Sequence, residues 1–73
     1  MTDPLDLREL DPPEPLLRIF EALGDEGVDR HVFLLAREPL ILYGMLADAG
    51  WRHTLSRDER GCVLAVFRDP HVP

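Results

Sequence analysis

The sequence predicts a two-layer α/β sandwich of the α+β class, with element order β-α-β-α-β-β. Three observations lead there. The hydrophobic period switches twice from strand-like to helix-like along the chain. Two short apolar runs, residues 31–36 and 62–68, have the length and β-branched content of interior strands. The last two segments lie close enough in sequence to form a hairpin. Right-handed crossovers place both helices on one face of a four-stranded mixed sheet.

Each element has its own signal. "LDLREL" (5–10) alternates apolar with charged residues and reads as a short strand with one wet face. Pro12, Pro13 and Pro15 then turn the chain. From Leu16 the period is helical: Leu16, Ile19, Phe20 and Leu23 form one apolar stripe, with Arg18 and Glu21 outside it. Gly24 and Gly27 are expected to end this helix in the usual way. "HVFLLA" (31–36) is a strand buried on both faces. "REPLILYGMLADAG" (37–50) is a second helix, with Pro39 in its first turn and Gly50 as its stop. Its expected buried stripe is Leu42, Met45, Leu46 and Ala49. Gly44 in its middle costs roughly 1 kcal/mol of helix propensity, which a close packing contact would explain. "WRHTLS" (51–56) alternates Trp51, His53 and Leu55 with polar residues, as a half-exposed edge strand does. "RDERG" (57–61) is a charged turn, and "CVLAVFR" (62–68) is the last interior strand.

The 73 residues form one domain, 1–73, with an expected ordered core of about 4–69 and frayed Pro- and Asp-rich ends. A chain this short buries only about 60% of the surface its unfolded form exposes, which leaves little room for a deep active site. Net charge is −6, lysine is absent and the eight arginines are scattered. That balance argues against nucleic acid and against anionic membrane surfaces. Cys62 is the only cysteine, so neither an intrachain disulfide nor a multi-cysteine zinc site is available. One free thiol fits a reducing, cytoplasmic compartment. No secretory signal is visible, and the longest apolar runs are too short to span a bilayer. His31, His53 and His71 are far apart in sequence and give no metal motif. No cofactor signature is present.

The stretch "LDLREL-DPPEP", followed by helix, strand, helix and hairpin, resembles the TusA-like (SirA-like) sulfur-carrier superfamily over roughly residues 4–68. The resemblance implies a cysteine at the start of the first helix, within Cys-Pro-x-Pro, that carries a persulfide. Here Pro12 stands at that position and Glu9 stands where a glycine is usual, while the Pro-x-Pro is kept as Pro13-Glu14-Pro15. Proline has no nucleophile, so that sulfur chemistry has no residue to run on. The closer similarity is to a cysteine-less branch of the superfamily, a domain family of unknown function with a "PPEP" helix start. "REPLILY" (37–43) looks like its second motif, with Arg37 where a histidine is often found.

The candidate functional residues follow from this frame. Asp11 and Glu14 have the spacing of a capping box, and Glu14 in the first turn is itself an anion in the field of the helix N-terminus. Arg8, Asp11, Glu14, Arg37 and Glu38 are expected near one another, because strands one and two end on the same edge of the sheet. With Pro12, Pro13 and Pro15 they form either a rigid, self-capped surface or a small site for an anionic ligand, a metal or a partner. Residual sulfur transfer through Cys62 is a further alternative, set against its reading as a small buried hydrophobe. Two helices cover only one sheet face, so the middle strands expose apolar side chains on the other. That points to a protein partner or to self-association through the uncovered sheet face, the alternative being partial cover by long side chains.

Overall fold

The computed structural model describes residues 4–24 and 27–68. The ends expected to fray, 1–4 and 69–73, lie outside these residues apart from Pro4, and His71 lies outside them too. The elements are β1 (Leu5–Asp6), α1 (Glu14–Leu23), β2 (Arg30–Leu35), α2 (Leu40–Asp48), β3 (Arg52–Asp58) and β4 (Gly61–Phe67). They form a four-stranded sheet in the order β1-β2-β4-β3. β1 runs parallel to β2, and the other pairings are antiparallel. The apolar strands β2 and β4 are central, and the half-polar β3 is an edge.

Register and alternation separate the two faces of the sheet. Phe33, Leu35, Cys62, Leu64 and Val66 share one cluster with Ile19 of α1 and Leu42 and Leu46 of α2. Both helices therefore cover the same face, and the expected two-layer sandwich is the observed architecture. Trp51 closes one end of this core: Arg68 stacks over its ring at 4.1 Å and His31 meets it edge-on.

The elements differ in detail from the sequence reading, and each difference has a local cause. β1 spans two residues rather than 5–10. The Leu7 N–H still donates to the Leu34 carbonyl, but the Asp6 carboxylate then draws in the Arg8 N–H and the Leu10 N–H turns back to the Leu7 carbonyl. α1 begins at Glu14, ahead of Leu16, because Pro15 sits where no helical N–H is needed. Gly24 caps α1 with φ −75°, a right-handed conformation, so the expected left-handed stop is absent there. α2 starts at Leu40, and Pro39 is its cap residue rather than part of its first turn. Within α2, Leu42 and Leu46 are buried as expected, whereas Met45 and Ala49 are exposed. Helix α2 is apolar nearly all round, so its sequence period does not choose a face. A Cβ on Gly44 would meet nothing within 4 Å, so the packing contact invoked for it is not there.

The hairpin is tighter than a five-residue turn. Asp58 pairs with Gly61, leaving Glu59 and Arg60 as its tip. Gly61 has φ +123°, and a Cβ there would stand 2.8 Å from the Leu35 carbonyl oxygen. Glycine is thus required both for the turn and for β4 to approach the end of β2.

Candidate functional site

The start of α1 is built by subtraction. The Glu14 N–H donates to the Asp11 carbonyl at 2.9 Å, and the Leu17 N–H donates to the Pro13 carbonyl at 3.2 Å. Pro12, Pro13 and Pro15 have no N–H to offer. The Pro12–Pro13 peptide is cis, with Pro13 third in the Asp11–Glu14 turn. A helix normally begins with four unpaired N–H groups, and these are what cradle an anion. Here Leu16 holds the one first-turn N–H left without a partner among the described residues. No side chain caps α1, so the Asp11–Glu14 capping box does not form: Asp11 acts through its main-chain carbonyl instead. Asp11, Pro12, Pro13 and Glu14 are exposed and Pro15 is half-buried.

Of the five charged residues expected around this point, Arg8 and Glu38 are taken by other partners. Arg8 forms a two-pronged ion pair with Asp6 at 2.8 and 2.7 Å, and donates to the Arg60 carbonyl at 3.2 Å. The hydrogen bonds from Arg8 hold the Asp6 carboxyl at about 2, below its ordinary 3.8. Glu38 pairs with Arg57 at 2.8 Å and accepts the Tyr43 hydroxyl at 3.1 Å. Arg37 is exposed and forms no ion pair with any described residue. No side-chain hydrogen bond or ion pair joins two of Arg8, Asp11, Glu14, Arg37 and Glu38.

Between α2 and β3 lies a better-connected group that the sequence reading did not assemble. The Tyr43 and His53 rings stack with centroids 4.0 Å apart and planes within 6°. Burial, and then the hydrogen bond to Glu38, push the Tyr43 phenol up to about 12. The signal available in sequence was weak: His53 lies on the inner face of β3, but nothing local couples it to a tyrosine ten residues earlier. The ring stack ties α2 to the edge strand, and the Tyr43 hydroxyl and the Arg57 guanidinium both donate to Glu38.

A shallow groove of about 700 Å³ runs between β1 and α1, lined by Leu7, Leu10, Asp6, Glu9, Arg18 and Glu21 among others. Arg18 already pairs with Glu21 at 3.5 Å, and Asp6 with Arg8, so Glu9 is the one acidic lining residue without an ion-pair partner. Cys62 is 4% exposed, within the core cluster. Among the described residues, no group of three His, Cys, Asp or Glu is placed to hold a metal ion. No helix among them is long and apolar enough to cross a membrane.

On its outer face the sheet presents Val32, Val63 and Phe67 half-buried, with Leu34 and Ala65 buried. Arg30 lies over the Phe67 ring at 5.8 Å, giving that end of the face partial cover by a long side chain. The exposed large apolar residues lie elsewhere: Leu40, Ile41 and Met45 on α2, with Leu5, Leu17 and Val28.

Comparison with known proteins adds no relative: no family model, no curated protein and no solved structure matches the chain.

Proposed function

We propose that the chain is a non-catalytic, protein-binding domain of TusA-like type, an accessory module in sulfur or redox metabolism of a reducing, cytoplasmic compartment. One observation carries the reading: the proline-framed start of α1 offers neither a nucleophile nor an anion cradle. Pro12 stands where the resemblance calls for the persulfide cysteine, and three prolines and two backbone hydrogen bonds leave one free N–H. The only thiol, Cys62, is in the core, where a persulfide acceptor has no access. What remains is a small rigid body with surfaces. The outer sheet face, with Val32, Val63 and Phe67, is the surface assigned to a protein partner.

Persulfide labelling after incubation with a cysteine desulfurase and cysteine tests the first half; an unlabelled Cys62 is expected. Affinity capture from native lysate tests the second, with a partner retained by the wild type and lost on Val63→Arg. A labelled Cys62 in the folded chain contradicts the proposal. So does the absence of any partner sensitive to that substitution.

A further inference from the structure

Helix α2 carries more apolar surface than its own domain uses. Leu42 and Leu46 take its inner side. Ile41, Gly44, Met45 and Asp48 follow the i, i+3, i+4, i+7 spacing, so they share the opposite side, with Leu40 at its margin. Ile41 is 82% exposed, Leu40 69% and Met45 41%. Adjacent exposed apolar residues on one helix face mark an interaction surface. Gly44 sits among them with open space where a Cβ would be. It makes a flat place at which another backbone can come close.

The charges at the two ends of α2 say what fits. Arg37 lies just ahead of the positive N-terminus, and Asp48 is the last residue at the negative C-terminus. Both have the wrong sign for their own helix dipole. There is no acidic residue in the first turn and no basic residue in the last to offset them. Neither Arg37 nor Asp48 has an ion-pair partner among the described residues.

We infer that α2 docks antiparallel against α2 of a second copy of this chain, about a two-fold axis. Each Ile41 then lies over Gly44 of the second copy, with Leu40 and Met45 flanking the contact on either side. Arg37 meets Asp48 and the negative end of the opposing helix, twice by symmetry. A parallel arrangement would put Arg37 beside Arg37 and Asp48 beside Asp48, so charge selects the antiparallel one. This surface lies on the opposite layer from the outer sheet face, and the inference stands independently of the functional reading above.

Sedimentation of the full chain over a range of concentrations tests it. The wild type is expected to pass from monomer to dimer. Ile41→Asp is expected to raise the dissociation constant about tenfold or more, with the fold intact because the side chain is already in water. Arg37→Asp alone and Asp48→Arg alone each weaken the dimer. An equimolar mixture of these two variants recovers it, because each altered charge then faces its opposite. Three results overturn the inference: a wild-type chain monomeric throughout, which assigns the face to another occupant; a dimer indifferent to Ile41→Asp; or a mixture that associates no better than its components.

Discussion

The two helices of this domain use their apolar residues differently. α1 has one stripe, with Ile19 buried and Leu16, Phe20 and Leu23 packed against the core, while Arg18 and Glu21 face water as an ion pair. α2 has an apolar side turned inward and another turned outward. α1 is also nearly closed at its start, where prolines and backbone bonds leave only the Leu16 N–H without a partner among the described residues. α2 is open along its length, and Arg37 and Asp48 at its two ends have no ion-pair partner among the described residues. The lesson is that the region carrying the family-like motif has little left to bind with, whereas the region with no motif has surface to spare.

Truncation of the inner residues sharpens this contrast most. Ile19→Ala and Leu46→Ala each remove a side chain that is at most 1% exposed. Each is expected to cost about 2–5 kcal/mol, enough to unfold much of a domain this small. Ile41→Ala, on the other side of α2, is expected to change monomer stability by less than about 0.5 kcal/mol. Urea denaturation of dilute protein, followed by fluorescence of the single, buried Trp51, reads all three.

Gly44→Ala separates folding from association. With open space at Gly44 and a helical backbone, the substitution is expected to stabilise the monomer by about 0.8–1 kcal/mol. It is expected to weaken self-association, because the flat place is filled. Loss of monomer stability would mean that Gly44 makes a contact within its own chain.

Tyr43 probes the α2–β3 seam. It is the only tyrosine, so phenolate absorbance reports it alone. Its phenol is raised from 10.0 to about 12, so the folded state holds the proton more tightly than the unfolded state. The associated stability is therefore fully present below pH 10.0 and is lost as pH rises through about 12. A midpoint at the ordinary value in folded protein would break the assignment of the seam.

The smallest effect is expected at the α1 start. Asp11 caps with its main chain, so Asp11→Ala should alter stability by under about 0.5 kcal/mol. A side-chain cap would lose about 1 kcal/mol on the same change. Thermal denaturation distinguishes the two.

How far the sequence reaches follows the same divide. The element order, the central place of β2 and β4 and the inward stripe of α1 were legible, because each rests on a clear period. The buried side of α2 was half legible: Leu42 and Leu46 satisfy the period, but so do Met45 and Ala49, and only tertiary packing decides among them. At the candidate site, the prolines were legible as a fixed helix start. The dispersal of its charges was not. Arg8 is taken by Asp6 two residues away, and Glu38 by Arg57, 19 residues further along in β3. Residue type foretells neither choice, since several carboxylates and guanidiniums compete for each partner.

Amide chemical shifts followed by NMR on dilution test most directly the claim that α2, rather than the start of α1, is where this domain meets a second copy of itself. Resonances of Leu40–Asp48 are expected to move with concentration, while those of Asp11, Glu14, Leu16 and Leu17 stay fixed. Shifts that do not depend on concentration, or that move only at the α1 start or on the outer face of β2 and β4, would contradict it.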